Sequence, residues 1–384
     1  IYIIMSNHNP ILVPTITKPN EKNNILTFTL ANVNYSLANA LRRTILSDIN
    51  TVVLKSGHPK DGLIKIFNNT TRFHNEIIKQ RLHCIPVHIK DIKQSFENLV
   101  VEINETNDTN AVRYITTEHF KIKDVNTGKY LNDDFTKKVF PPNKISKDFI
   151  LFLRLRPRIS DTIPGEKIHL EIKLTVSNAI DDGGFNVVST CAYGNTPDKV
   201  RQIEVWDDKE KSMEDNKYKS TEIASYKKNW MIHDGKRIFL DDSFDFTVET
   251  VGVFSNTEIV ILGCDILIDK INIFINLFNQ DRIKIKPDST VMDNSYDITL
   301  ENEDYTLGKV IEYLLHELWY KKHDDLTYVG FIKEHPHDNH SIIRIAFKDK
   351  DKSNTDNIRS IFKNVLEHSK TIYENIKEHF QIKK

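Results

Sequence analysis

The segment TLANVNYSLANALRR at Thr29–Arg43 returns in altered form as TLENEDYTLGKVIEY at Thr299–Tyr313. The two segments match position by position without a gap, with Thr, Leu, Asn, Tyr, a hydroxyl residue and Leu in the same order. The two arginines at the end do not return, because Glu312 and Tyr313 stand in their places. The pattern indicates one structural unit used twice, with the two arginines absent from the second copy.

The first segment predicts a strand, a turn and a helix. Residues 25–30 largely alternate apolar and polar side chains, as a half-buried strand does. A turn follows at Asn32–Tyr35, and Ser36 is a suitable helix N-cap. Apolar residues then recur at every fourth position, which places on one face of the helix Leu37, Leu41, Ile45 and Ile49.

The second segment predicts the same elements. A strand ends at Ile298–Leu300, Thr306 is the expected N-cap, and an apolar stripe follows at Leu307, Val310, Leu314 and Leu318. A chance likeness between two common strand–helix turns is the alternative. It accounts less well for a strand, a turn length, a tyrosine and a cap that all return in one alignment.

Composition limits the classes of protein. The chain has 384 residues, 39% hydrophobic and 28% charged, which is enough for two or three domains with their own cores. A formal net charge of −1 gives no general attraction to nucleic acid or to an anionic membrane. Three separated cysteines, with no CxxC pair, argue against a disulfide framework or a cysteine-rich metal site, and favour a reducing compartment.

Neither a targeting signal nor a membrane span is predicted. The apolar run at residues 1–4 is too short for a signal peptide, and Met5 is a plausible native start. The most apolar stretch, Ile259–Phe278, is interrupted by Asp265, Asp269 and Lys270. We therefore expect an intracellular protein.

Two further helices and one long polar segment are predicted. Ser255 and Glu258 form a capping box before a helix whose inward residues are expected at Ile259, Leu262, Ile266, Ile273 and Leu277. A last helix is expected over residues 356–380, with Ile358, Phe362, Val365, Ser369, Ile372 and Ile376 on one face. The charged segment 198–236 predicts a long insertion or partly mobile loop.

These residues resemble a known family. NALRR at Asn39–Arg43 and HNEIIKQRLHCIPV at His74–Val87 resemble the dimerising subunits of multisubunit RNA polymerases: the bacterial alpha N-terminal domain, the archaeal D subunit and the third subunit of polymerase II. EDYTLGKVIEYLL at Glu303–Leu315 and YVGFIKEHP at Tyr328–Pro336 resemble the archaeal L subunit and the eleventh subunit of polymerase II. FDFTVET at Phe244–Thr250 matches a return segment of the first group.

The resemblance implies an α+β fold. Two alpha-N-terminal-domain-like strand–helix units in one chain would form an internal pseudo-heterodimer, with an inserted, mostly β domain. The expected domains are a discontinuous third-subunit-like domain (11–90 and 240–285), an insert with long polar loops (91–239), and an eleventh-subunit-like domain (286–384). Fusion of the two subunit types is associated with large nucleocytoplasmic DNA viruses, which implies the host cytoplasm or the virion as location.

The resemblance also implies partners and site residues. The chain would form the platform for the two large catalytic subunits, with a small tenth- or twelfth-type zinc subunit nearby and nucleic acid contacted only through the complex. Expected large-subunit docking residues are Asn39, Arg42, Arg43, His74, Asn75, Glu76 and Arg81. The expected internal interface consists of Leu37, Leu41, Ile45, Ile49, Ile266, Leu307, Val310, Leu314, Leu318, Ile361, Val365 and Ile372.

No catalytic residues or cofactors are predicted. The one cluster of candidate metal ligands is EHPHDNH at Glu334–His340, whose spacing matches no helical or finger pattern and which falls on a turn. A free-standing metal-dependent hydrolase that uses the residues His335–His340 of this cluster is the alternative to an assembly subunit. No nucleophile elbow or phosphate-binding glycine loop is recognisable.

Overall fold

The computed structural model describes residues 13–93, 96, 98–160, 162–287 and 292–381. The apolar run at residues 1–4, the expected native start at Met5 and the start of the first expected domain at residue 11 lie outside this described part. The α+β composition is confirmed. No helix of the described part is both long enough and apolar enough to cross a membrane.

The strands are, in chain order, Thr15–Lys22 (β1), Ile25–Ala31 (β2), Thr51–Val53 (β3), Ile64–Asn69 (β4), Leu99–Thr106 (β5), Arg113–Thr116 (β6), Lys121–Asp124 (β7), Leu151–Leu155 (β8), Lys167–Lys173 (β9), Thr175–Ser177 (β10), Val188–Pro197 (β11), Phe239–Thr250 (β12), Ile285–Pro287 (β13), Ser295–Glu301 (β14), Leu326–Ile332 (β15) and His340–Phe347 (β16).

The helices are Tyr35–Ser47 (α1), Asn75–His83 (α2), Asp133–Val139 (α3), Lys199–Asp215 (α4), Ser220–Ile232 (α5), Asn256–Asn279 (α6), Tyr305–Leu315 (α7) and Thr355–Gln381 (α8). A π-helical segment, His316–Lys322, directly continues α7. Short 3₁₀ turns connect several of the other elements.

Two compact units make up the chain, and they divide it at other residues than the predicted domains. Within the described residues, one unit contains 13–44, 190–249 and 260–381, and the other contains 45–189 and 250–259. The three-part division at 91, 240 and 286 therefore stays a prediction.

The first unit contains the same succession of elements twice. One four-stranded antiparallel sheet has the order β1-β2-β12-β11, and the other has the order β13-β14-β16-β15. In each case two strands lead into a helix (α1 or α7), and two further strands lead into a long helix (α6 or α8). The further strands of the first case, β11 and β12, have α4 and α5 between them. We call β1, β2, α1, β11, β12 and α6 the first repeat, and β13, β14, α7, β15, β16 and α8 the second repeat.

The alignment of the two segments is kept in the structure. Strand β14 begins and ends at the positions that the alignment assigns to β2, and α7 begins at the position equivalent to the start of α1. The strands also pair alike, since Phe28 of β2 lies opposite Phe246 and Ile298 of β14 lies opposite Ile343. The sequence match therefore corresponds to matching secondary structure.

The second unit has its own sheet and core. Its four-stranded sheet has the order β4-β9-β5-β7, and the same unit contains the two-stranded pairs β6–β8 and β3–β10. Its continuous apolar core includes residues of α2 and of these strands, among them Ile78, Leu82, Val101, Phe152 and Leu170.

The expectation of a long insertion or loop at 198–236 is wrong in part, because two helices, α4 and α5, occupy it. Trp206 is fully buried and packs 5.4 Å from Trp230, and Met213 and Ile223 complete a small core. Because these four apolar residues stand among many charged ones, the sequence shows little helical periodicity here. They nevertheless suffice to hold two helices together, so this part of the insert is not β.

The capping box of Ser255 and Glu258 is confirmed, with reciprocal hydrogen bonds of 2.8 and 3.3 Å. The predicted inward face of α6 is partly wrong, since Ile273 is 58% exposed and Ile266 is only half-buried. The buried residues are instead Ile259, Val260, Cys264, Leu267, Ile268, Ile271, Phe274 and Phe278. Helix α6 is apolar on nearly every side, so its periodicity does not distinguish one face. Helix α8 has the predicted buried face.

Candidate functional site: the two repeats

Helices α1 and α7 begin with the same geometry. The Asn34 side chain accepts from the Ser36 amide at 2.9 Å, and the Asp304 side chain accepts from the Thr306 amide at 2.7 Å. These two acceptors occupy equivalent positions of the repeated segment. The predicted N-caps, Ser36 and Thr306, are wrong, because each helix starts at the tyrosine that precedes the hydroxyl residue.

Left-handed asparagines precede both caps. Asn32 has φ of 60° and Asn302 has φ of 58°, a conformation that asparagine tolerates better than most residues. This explains why asparagine occupies both positions of the repeated sequence.

The residues of the predicted internal interface are buried with one exception. Ile266 is half-buried, as described above. The buried ones are Leu37, Leu41, Ile45, Ile49, Leu307, Val310, Leu314, Leu318, Ile361, Val365 and Ile372. Burial agrees with the apolar stripes, and the assignment of these residues to an interface between the repeats stays a prediction.

Several contacts join residues of the two repeats inside the first unit. The buried Tyr373 hydroxyl of α8 donates to the Leu37 carbonyl of α1 at 3.3 Å. Phe380 meets Phe28 edge-to-face at 5.1 Å between ring centroids. Helices α6 and α8 are linked by an ion pair between Lys377 and Asp265 at 2.5 Å, so each of these partly buried charges has a partner of opposite sign.

Arg43 has partners within the chain, at the start of the second repeat's helix. Its Nε donates to Thr306 Oγ1 at 2.9 Å, and its Nη2 donates to Asp304 Oδ2 at 2.7 Å. Burial alone would raise the pKa of Asp304, but hydrogen bonds from Thr306 and the charges of Arg43 and Lys270 lower it below its ordinary value. Arg43 thus binds the cap of α7 with a charge-assisted, two-point contact.

Arg42 differs from its neighbour. Its Nε and Nη2 both donate to Asn39 Oδ1, at 3.1 and 2.9 Å, within its own helix. Both arginines are half-buried. Docking by Asn39, Arg42 and Arg43 stays a prediction, and the structure gives Arg43 a second role that the sequence did not indicate.

Tyr313 occupies the position equivalent to Arg43. Burial, with the nearby carboxylates of Glu317 and Asp242, raises the pKa of Tyr313 to about 12. It is therefore a neutral hydroxyl at physiological pH, and the second repeat has no cation at this position.

The other predicted docking residues lie on or next to α2. His74, Asn75 and Glu76 are exposed, and the His74 ring lies 3.0 Å from the Glu76 carboxylate. The pKa of Glu76 is lowered, mainly by a backbone hydrogen bond at the helix start and secondly by the hydrogen bond to His74. Arg81 instead donates to the carbonyls of Phe152 and Leu151 at 2.7 and 3.0 Å. Arg81 therefore holds α2 to β8, and its predicted docking role stays untested.

Ser56, His83 and Asp182 have distances found in hydrolytic triads. Ser56 Oγ lies 2.9 Å from His83 Nε2, and His83 Nδ1 lies 2.9 Å from Asp182. The Ser56 backbone N–H, however, also donates to Nε2 at 3.1 Å. Since that lone pair already accepts a hydrogen bond, it is poorly placed to take the serine proton. The cluster instead ties together the loop before β4, the end of α2 and the turn at Asp182.

The cluster at Glu334–His340 forms a hydrogen-bonded turn. His335 Nδ1 accepts from the His337 amide at 3.2 Å, and Asp338 accepts from the His335 amide at 3.1 Å. These bonds occupy His335 Nδ1 and one carboxylate oxygen of Asp338. No group of three or more metal-ligating side chains occurs in the described ranges. The metal-dependent hydrolase is not supported.

Sequence reasoning missed the acceptors Asn34 and Asp304, which were assigned to the turn. The sequence did contain a signal for these caps. The motif Asn/Asp-Tyr-Ser/Thr occurs at equivalent positions of both segments, and Asn and Asp are preferred N-caps. The contact of Arg43 with Asp304 spans 261 residues and had no local signal.

Two comparisons with known proteins agree. The family described as the RNA polymerase Rpb3/Rpb11 dimerisation domain matches residues 27–271, more than half of the chain. The match includes most of the first repeat and the segment inserted into it, and it ends before β13. The chain is also 27% identical over 151 residues to DNA-directed RNA polymerases I and III subunit rpac1 of Dictyostelium discoideum. That alignment covers 38% of this chain and 41% of the relative, so the match spans about two fifths of the relative's length.

Proposed function

The chain belongs to the RNA polymerase Rpb3/Rpb11 dimerisation domain family, and we propose that it is a non-catalytic assembly subunit of a DNA-directed RNA polymerase. Its role would be structural: to hold the large subunits that carry out the chemistry. The observation that best supports this function is that strand order, helix start and helix cap are repeated at equivalent positions within a chain of this family.

We further propose that the two repeats act as an internal pair, one third-subunit-like and one eleventh-subunit-like. The buried Tyr373–Leu37 hydrogen bond, the Phe28–Phe380 contact and the Arg43–Asp304 ion pair support this, since each joins residues of different repeats. Covalent linkage gives each repeat a high effective concentration of the other. Light scattering is expected to show a monomer.

The proposed partners are the two large catalytic subunits and a small zinc-binding subunit. Of the two arginines of α1, Arg42 is the better placed to reach a partner, because its hydrogen bonds in the described part go only to Asn39 on the same helix. A guanidinium group binds carboxylates and backbone carbonyls with defined geometry. The viral origin and the host-cytoplasmic location are proposals from the sequence alone.

The test is affinity purification of the tagged full chain from cells that express it, with identification of bound chains by mass spectrometry. We expect both large polymerase subunits to co-purify with the wild type. Arg42→Ala should reduce recovery of one of them about tenfold or more, if it removes a desolvated contact.

The matched control is Arg201→Ala, which removes one positive charge from the exposed surface of α4. It is expected to leave recovery unchanged. A folded wild-type chain that recovers no polymerase subunit would overturn the proposed function. Normal recovery by Arg42→Ala would overturn only the assignment of Arg42.

A further inference from the structure

A cleft in the second unit concentrates three arginines over an apolar floor. It has a volume of about 240 Å³ and is lined by Arg72, Phe73, Arg81, Leu151, Phe152, Leu153 and Arg154. Arg72 and Arg154 are exposed, and Arg81 is half-buried. None of the three makes an ion pair with a carboxylate in the described part of the chain.

Arg81 is fixed in place by the protein itself. Its Nε and Nη2 donate to two successive carbonyls of β8, and its guanidinium lies 5.8 Å from the centre of the Phe73 ring. A guanidinium has five N–H donors, so three remain after these two bonds. An immobilised cation with spare donors loses little conformational entropy when it binds an anion.

Arg154 is also oriented by an aromatic ring. Its guanidinium lies 5.4 Å from the centre of the Tyr114 ring, and that tyrosine is 54% exposed. Stacking of this kind leaves the guanidinium edges available for hydrogen bonding. Arginine, tyrosine and phenylalanine together are among the residue types most enriched at the centres of protein interfaces.

We propose that this cleft binds an acidic segment of a partner protein, with a carboxylate beside an apolar side chain. The three arginines would receive the carboxylate, and Phe73, Leu151 and Leu153 would receive the apolar side chain. The floor favours a peptide over nucleic acid, because a nucleic-acid site needs a positive surface that follows a long backbone. The net charge of −1 and the small size of the cleft do not provide one.

The test uses the full chain and a fluorescein-labelled hexapeptide, Glu-Asp-Phe-Asp-Glu-Leu, followed by fluorescence anisotropy. The probes for comparison are the same peptide with Gln and Asn in place of the acids, inorganic phosphate, and a 12-nucleotide single-stranded thymidine DNA. We expect the acidic peptide to bind best. Arg72→Ala/Arg154→Ala should weaken that binding roughly tenfold or more, because hydrogen bonds to charged groups are lost.

The control variant is Arg201→Ala/Arg237→Ala, which removes the same charge from two exposed positions of the first unit, one on α4 and one after α5. An equal loss of binding in the control would show general charge attraction and overturn the proposal. So would equal binding of the neutral peptide, preferential binding of the DNA, or displacement by phosphate at lower concentration than by the unlabelled acidic peptide. Arg72→Lys/Arg154→Lys should bind with intermediate affinity, since charge remains without the planar fork.

Discussion

In the first repeat Asn34 caps α1 with a neutral amide, whereas in the second repeat Asp304 caps α7 with a carboxylate. Further along the same helices, the first repeat has Arg42 and Arg43 where the second has Glu312 and Tyr313. The two differences are related, because Arg43 of the first repeat binds Asp304 of the second. The repeats therefore keep a common arrangement of strand and helix, and the changes at Arg43 and Asp304 meet at a contact between them.

A third difference concerns packing. The first repeat has Ala38, fully buried, where the second has Gly308. A Cβ atom at Gly308 would lie 2.0 Å from the Phe331 ring. The Phe331 ring thus lies directly on the backbone of α7, and β15 packs more closely on its helix than a side chain would permit. At this position the two helices differ by a single methyl group, which is present in Ala38 and absent in Gly308.

The largest effect should come from the positions at which the repeats agree. Leu37→Ala and Leu307→Ala each remove a fully buried side chain at equivalent places. We expect each to lower the free energy of unfolding by about 2–5 kcal/mol. Urea denaturation measures it, with Val200→Ala, 69% exposed, as the control. A small loss at only one leucine would show that the repeats are not equivalent in their cores.

Gly308→Ala tests the packing difference. Helix propensity alone predicts a gain of about 1 kcal/mol, since alanine favours helix over glycine. The clash with Phe331 should reverse the sign and give a net loss of about 1–3 kcal/mol. Thermal unfolding distinguishes the two, and Gly308→Ala/Phe331→Leu should recover part of the loss. A stabilised single variant would contradict the described contact.

Much of this comparison was predictable from the sequence. The repeated segment located both helices and their apolar stripes, because helical period and strand alternation are local properties. The caps were misplaced, since Asn and Ser are both good N-caps and only the backbone decides between them. The pair α4–α5 was missed because Trp206 and Trp230 meet through tertiary packing. The cleft formed by Arg72, Arg81 and Arg154 also depends on the packing of α2 against β8, which are distant in sequence.

Tyr373→Phe tests the buried link between the repeats. The variant removes the hydroxyl that donates to the Leu37 carbonyl at 3.3 Å and keeps the ring. We expect a loss of about 0.5–1.5 kcal/mol, the usual net contribution of one hydrogen bond. Tyr226→Phe, at a 52% exposed position, serves as the control in the same urea titration. Equal values for the two variants would mean that the link contributes nothing.

The smallest expected effect concerns the charge difference at the helix caps, and it depends on pH. The folded state lowers the pKa of Asp304 below its ordinary value of 3.8, so the folded chain favours the carboxylate. Its contribution is therefore complete at neutral pH and is lost as pH falls through the folded pKa. Arg43 and Asp304 are both more than a third exposed, so solvent limits the contribution to about 0.2–1 kcal/mol.

Asp304→Asn keeps a good N-cap and removes the charge, so it isolates the contribution of the carboxylate charge, which includes the ion pair with Arg43. We expect the wild type to be slightly more stable at pH 7 and the two proteins to converge below about pH 4. Melting temperatures measured from pH 7 to pH 3 give the difference directly. The control, Asp208→Asn, removes an 84% exposed carboxylate and should give no such convergence. A difference between wild type and Asp304→Asn that is constant with pH would show that the cap, and not the charge on Asp304, distinguishes the two repeats.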